Sequence, residues 1–141
     1  MNITNVLASK GGAVATIRPD RTVREALELF AKRNIGALVV VDDANQPVGM
    51  ITERGILRSA LTNDHVLAAT VGVVMTRDVV IGHPHDDLMS VAHTMTEKRI
   101  RHLPVMEHGK LVGIVSLGDL VKAQRDHYEG QVVTLEARLS D

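Results

Sequence analysis

The sequence predicts an α+β fold built from two β-α-β-β-α repeats packed with pseudo-twofold symmetry. Three observations carry that expectation: an internal duplication, apolar residues at helical spacing within each copy, and short β-branched runs bounded by turn residues. The stretch from Pro19, P-D-R-T-V-R-E-A-L-E-L-F-A-K-R-N-I-G-A-L-V-V-V, matches the one from Pro84, P-H-D-D-L-M-S-V-A-H-T-M-T-E-K-R-I-R-H-L-P-V-M, at its apolar positions. After a one-residue deletion the match resumes, with Val48 to Thr52 answering Val112 to Ser116. A short duplicated unit buries its core against its twin, and clefts form between the two.

Each copy opens with a run expected as a short strand, Ala13 to Ile17 and Val79 to Ile81, stopped before a proline. Thr22 and Asp87 then stand at N-cap positions. The helices they begin place Val23, Ala26, Leu27 and Phe30, or Leu88, Val91, Ala92 and Met95, on one face. Ala37 to Val41 with Pro47 to Thr52, and Leu103 to Met106 with Leu111 to Ser116, read as hairpins closed at Asp42 to Gln46 and at His108 to Lys110. A second helix follows each, from near Glu53 and from near Leu117. Thr62 to His65 is a polar loop, and Val66 to Thr76 is expected to hold a short helix whose counterpart is Thr4 to Leu7. The division is therefore 1–65 for the first repeat with its N-terminal segment, 66–126 for the second, and 127–141 for a helical extension. That extension carries an apolar stripe of Leu120, Tyr128, Val132, Leu135 and Leu139, which Gly130 weakens. A stripe that a chain end cannot bury alone favours a homodimer.

The composition excludes several functional classes. Sixteen Lys+Arg against seventeen Asp+Glu leave no basic excess to draw nucleic acid or an anionic membrane. Tyr128 and Phe30 are the only aromatic residues, so a base-stacking platform is missing. With no cysteine, disulfides, thiolate chemistry and zinc–thiolate sites are excluded. No apolar stretch approaches the roughly 20 residues that span a bilayer, and a cytoplasmic location is the expectation. His83-Pro84-His85 does not converge as a helical i, i+4 pair would, so no metal is expected. None of the common nucleophile or phosphate-loop motifs occurs, and no enzymatic activity is expected.

At the end of the second copy, Gly113-Ile114-Val115-Ser116-Leu117-Gly118-Asp119 brings a hydroxyl and a carboxylate to one helix start. Two uses of that pair are open. Asp119 is suited to accept both hydroxyls of a ribose diol while Ser116 donates to a phosphate at the helix N-terminus. Equally, Ser116 and Asp119 form a capping box with no ligand at all. In the first copy, Gly49-Met50-Ile51-Thr52-Glu53-Arg54-Gly55 keeps the hydroxyl but has glycine in place of the carboxylate. A hydrogen bond to a charged group contributes roughly 1.5–3 kcal/mol, so this cleft is expected to bind a nucleoside roughly ten- to a hundredfold more weakly. Thr52 with Lys10 and Arg18 is expected at most to hold an anion there.

The pattern h-x-P-x-x-[TD]-h with its amphipathic helix, then R-h-x-x-h-P-V and G-h-V-S-x-x-D-L, resembles the CBS domain family, named from cystathionine β-synthase. The resemblance runs from about Leu7 to about Gln124 and is nearer to the stand-alone bacterial tandem CBS proteins than to regulatory inserts in larger proteins. It implies a CBS pair whose clefts bind an adenosine-containing regulatory ligand, such as AMP, ADP, ATP, NAD(H) or S-adenosylmethionine, with no further cofactor required. It also implies a homodimer that transmits occupancy to a regulated protein. By that resemblance Asp119 and Ser116 take ribose and phosphate. The same resemblance has Thr76, Val80, Ile81 and Pro104 border the adenine. Arg101 and His102 supply a cation and an imidazole just before the Pro104 strand, and equally read as a solvated surface charge and a hydrogen-bonded structural histidine. The competing expectation is a structural or interaction homodimer with vestigial clefts.

Overall fold

The computed structural model describes residues 1–11 and 14–140, with side chains described through residue 130. In chain order the elements are α1 (Ile3–Lys10), β1 (Thr16–Ile17), α2 (Val23–Arg33), β2 (Ala37–Val41), β3 (Pro47–Thr52), α3 (Glu53–Ala60) and α4 (Val71–Val74). The second half continues with α5 (Leu88–Glu97), β4 (His102–Glu107), β5 (Lys110–Ser116) and α6 (Leu117–Ser140). A single 3-10 turn at Val66–Ala68 precedes α4. The expected α+β tandem pair is thus the architecture found.

Local chemistry accounts for the element ends. Thr22 and Glu25 form a capping box on α2, and Asp87 accepts the Ser90 N–H at the start of α5. Both helices stop on a left-handed residue, Asn34 at φ 54° and Arg99 at φ 55°. Beyond each, Ile35 and Ile100 return their N–H groups to Phe30 and Met95. In the first half β2 lies between β1, parallel to it, and β3, antiparallel. All five residues of β2 are buried. Leu38 and Val40 join the first core with Phe30, Ile51 and Ile56, while Ala37, Val39 and Val41 on the opposite face are covered as well.

The leading segment of each half docks on the other half. Ile3 and Thr4 donate their N–H groups to the carbonyls of Asp86 (3.1 Å) and Pro84 (2.9 Å), and Leu88 donates to Met1 (3.1 Å). The mirror set joins Val71 to Arg21 (2.7 Å), Gly72 to Pro19 (2.9 Å) and Val23 to Ala69 (2.9 Å). Core membership follows this exchange. Ile3 and Val6 are buried with Leu88, Met95, Leu103 and Leu120, whereas Val66 and Val71 are buried with the first-half residues. Thr4 to Leu7 is therefore the counterpart of the α4 segment, as the sequence suggested.

The expected second-copy strand at Val79–Ile81 is not formed; a single parallel bridge, Gly82 to Val105, takes its place. The cause is Pro104. Gly82 donates to the Pro104 carbonyl at 2.9 Å and accepts from Met106 at 2.9 Å, but the next rung back toward Val80 requires an N–H that proline lacks. In the first half the equivalent residue is Val39, which does donate, to Ala15. There β1 forms, though only over Thr16–Ile17. Of the run expected from Ala13, Ala13 itself lies outside the described residues. At the C-terminus α6 continues through Gly130 to Ser140, with Tyr128 exposed; the side chains of Val132, Leu135 and Leu139 lie outside the described residues.

Two glycines accept the exchanged segments. A Cβ on Gly49 would stand 2.5 Å from the Met75 Sδ and 2.9 Å from the Thr76 carbonyl oxygen; one on Gly113 would stand 2.5 Å from Leu7 Cδ2. At Gly113 only a side chain obstructs, whereas at Gly49 a backbone oxygen does. Gly49→Ala is expected to lower unfolding free energy by about 1–3 kcal/mol through overpacking, and Gly113→Ala by less, as read by urea denaturation.

Candidate functional site

The site is assembled where β4 begins, β5 ends, α6 starts and α1 stops. Strand register sets His102 opposite Ser116 and Pro104 opposite Ile114. The first N–H of α6, from Leu117, is donated to the Arg101 carbonyl at 2.9 Å. Ser116 and Asp119 satisfy one another: the Asp119 N–H donates to Ser116 Oγ at 3.0 Å, and the Ser116 N–H donates to Asp119 Oδ2 at 2.8 Å. This is the capping-box geometry, the second of the two uses the spacing left open. It leaves Asp119 Oδ1 without a hydrogen bond among the described residues.

Lys10 completes the cluster. Its ammonium lies 2.6 Å from Asp119 Oδ2 and donates to the Ile114 carbonyl at 2.8 Å. The expected grouping of Lys10 with Thr52 and Arg18 in the first cleft is corrected accordingly, because the exchange of leading segments carries the end of α1 to β5 and α6. Arg18 is tied elsewhere too, donating to the Asp42 carbonyl at 2.9 Å and ion-paired with Asp43. Thr52 caps α3, accepting the Gly55 N–H at 3.0 Å.

The remaining expected residues make no hydrogen bond to this cluster among the described residues. Thr76 is bridged to Met50 on the outer edge of β3. Val80 and Ile81 line a groove of about 430 Å³ with His85, Asp87, Ser90 and Thr94, and Asp119 is not in its wall. A groove of about 500 Å³ occupies the corresponding place in the first half, beside Thr16, Arg21, Glu25 and Lys32. Glu53 was missed from the sequence: its carboxylate lies 3.7 Å from where a Cβ on Gly36 would stand. By the internal alignment Gly36, Ala37 and Gly55 occupy the places of Arg101, His102 and Asp119. The first half therefore has an acidic side chain where the second has a mainly cationic cluster.

The cluster shifts the titration of its own members. Partial burial pushes the Asp119 carboxyl up, but the Lys10 hydrogen bond, the Ser116 N–H, the Lys10 charge and the Ser116 hydroxyl outweigh it, and the net shift is down from 3.8. Burial is the largest influence on His102 and lowers its imidazole from 6.5; Lys10 and Arg101 lower it further, and Asp119 opposes only in part. His102 is accordingly neutral near pH 7. Both folded groups bind a proton less readily than the unfolded chain does, so each contributes stability that is lost as pH falls, His102 below 6.5 and Asp119 below 3.8. Replacing His102→Gln is expected to reduce the fall in thermal midpoint between about pH 7 and about pH 5, measured by calorimetry.

Comparison with known proteins supplies the family. The CBS domain model matches residues 9–62 and 71–126. The CBS domain-containing protein YhcV of Bacillus subtilis is 36% identical over 111 residues, covering 79% of this chain and 79% of its own. A longer relative, the uncharacterized protein MJ1225 of Methanocaldococcus jannaschii, is 37% identical over 109 residues; the match covers 77% of this chain and 39% of that protein. Among solved structures, the CBS-domain containing protein ATU1752 from Agrobacterium tumefaciens is similar with a TM-score of 0.84 at 35% identity, over 87% of this chain and 92% of that one. The CBS domain pair of protein MJ0100, in complex with 5-methylthioadenosine and S-adenosyl-L-methionine, is similar with a TM-score of 0.78 at 26% identity, over 90% of this chain and 98% of that one. With its duplicated fold and both repeats matched, the chain belongs to the CBS domain family.

Proposed function

We propose that this chain is a regulatory module that binds an adenosine-containing ligand at the Asp119 site and passes occupancy to a partner protein through the packing of its two halves. The observation that carries the reading is the convergence of Asp119, Ser116, Arg101, His102 and Lys10 on one helix start, where Asp119 Oδ1 has no hydrogen bond among the described residues. A ribose diol offers two donors to a carboxylate's two oxygens, and the first turn of α6 offers its N-terminal dipole to a phosphate. Val80 supports an adenine contact in its own way: Pro104 denies the Val80 carbonyl a ladder partner, leaving an acceptor for an exocyclic amine. The adenosine derivatives held by MJ0100 agree with this chemistry.

A second reading, a structural or interaction homodimer with vestigial clefts, is favoured by the capping box, in which Ser116 and Asp119 already satisfy each other. The two readings share the dimer. Leu57 and Val121 are equivalent positions on α3 and α6, exposed to 71% and 59%, and Leu61 is exposed to 84%. Equivalent apolar positions on both halves give a self-complementary surface, which suits a second copy.

Titration calorimetry separates the readings. AMP, ADP, ATP, NADH or S-adenosylmethionine is expected to bind, with Asp119→Ala weakening binding roughly ten- to a hundredfold. If none of them binds at submillimolar concentration, or Asp119→Ala changes nothing, the ligand reading is lost and the interaction protein stands. Sedimentation velocity is expected to show a dimer that Leu57→Glu combined with Val121→Glu dissociates; a wild-type monomer refutes the shared part.

A further inference from the structure

Lys10 occupies a place that the fold does not require a lysine to fill. In the first half the Met50 carbonyl, equivalent to that of Ile114, is satisfied by the Thr76 backbone N–H at 2.9 Å. In the second half α1 stays helical through Lys10, and the ammonium takes over that carbonyl at 2.8 Å while also holding Asp119 Oδ2. A plain backbone bridge closes one edge; an ion-paired, partly exposed cation closes the other.

That cation limits what Asp119 can accept. Oδ2 already receives the Ser116 N–H and the Lys10 ammonium, so a diol that engages both oxygens displaces Lys10 from the carboxylate. The displaced ammonium keeps one neutral carbonyl and stands in the same cluster as the Arg101 cation, with His102 neutral. A cation that has lost its carboxylate and stands beside another cation gains most from an anion that replaces the one it lost. A phosphate on the ligand is such an anion. An unphosphorylated nucleoside brings none, and S-adenosylmethionine brings a single carboxylate outweighed by its ammonium and sulfonium, for a net positive charge.

We infer that Lys10 is the residue that makes this site selective for phosphorylated adenosine, serving as the counter-ion of Asp119 until a ribose takes the carboxylate and then pairing with the ligand's phosphate. The assignment rests on the adenosine reading of the site and narrows it to nucleotides, with S-adenosylmethionine and methylthioadenosine disfavoured. It also links occupancy to α1, because the ion pair that the ligand breaks joins the end of that helix to the start of α6.

Calorimetry on the full chain with AMP, adenosine and S-adenosylmethionine tests it, using wild type, Lys10→Met and Lys10→Arg. Wild type is expected to bind AMP at least about tenfold more tightly than adenosine or S-adenosylmethionine. Lys10→Met is expected to lose about tenfold or more for AMP while holding or improving its affinity for adenosine, since the competing ion pair is gone. Lys10→Arg keeps a cation and is expected to retain the preference; thermal midpoints of both variants establish that they are folded. Equal binding of AMP and adenosine by wild type, or an unchanged ratio in Lys10→Met, overturns the assignment while leaving the adenosine reading intact. If all three compounds fail to bind wild type, the adenosine reading falls and this assignment with it.

Discussion

The constraint on which the structure depends is the reciprocal docking of leading segments by main-chain hydrogen bonds. Each half lends the other a segment headed by a fully buried aliphatic residue, Ile3 in one case and Val71 in the other. The donors involved are the first N–H groups of α1 and α4, which no residue within a helix can satisfy. Carbonyls just past Pro19 and Pro84, and those of the prolines themselves, satisfy them across the boundary between halves. Each half completes its core with residues of the other's segment, Val71 in the first and Ile3 and Val6 in the second. A short repeat of this size gains from that arrangement, because a small unit on its own buries too little apolar surface.

The same docking decides the chemistry of the site. Had α1 packed on the repeat it precedes in sequence, its last residue would not lie against β5. Instead the helix crosses over, Leu7 fills the space above Gly113, and Lys10, three residues on and so nearly one turn along, reaches Ile114 and Asp119. The site joins a residue from the beginning of the chain to residues more than a hundred positions later. Asp119 is thereby in direct contact with the end of the segment that ties the two halves together. The regulatory function proposed above would act through that contact.

Much of this was legible in the sequence, and the parts that were not have identifiable causes. The duplication, the caps at Thr22 and Asp87 and both hairpins follow from local pattern, and strand register then places His102 opposite Ser116. The β-branched residues at Val79–Ile81 favour a strand locally, but the donor its ladder lacks belongs to Pro104 on the neighbouring strand. Lys10 is near the first repeat in sequence but against the second in space, which local pattern does not reveal. The match of Thr4 to Leu7 with the α4 segment already contained the correction: if the two segments are equivalent and one leads into the second repeat, each can serve the opposite one. Glu53 left no periodic signal, being a polar residue at an exposed helix start.

The internal comparison also bears on why Asp119 is a carboxylate at all. Both helix starts are held by a hydroxyl accepting the N–H three residues on, at 3.0 Å in each half: Thr52 from Gly55, and Ser116 from Asp119. That bond is the part of a capping box that satisfies the helix end, and α3 forms with it alone, carrying no side chain at the third position. The carboxylate of Asp119 adds the return bond to the Ser116 N–H, yet it is partly exposed, held to a cation, and retains an oxygen with no hydrogen bond among the described residues. A group whose only role was the cap would not need the Lys10 ion pair. The duplicated scaffold thus offers an internal comparison: the hydroxyl alone caps α3, and the Asp119 carboxylate with its Lys10 ion pair occurs in the second half, where Gly55 is the first-half equivalent.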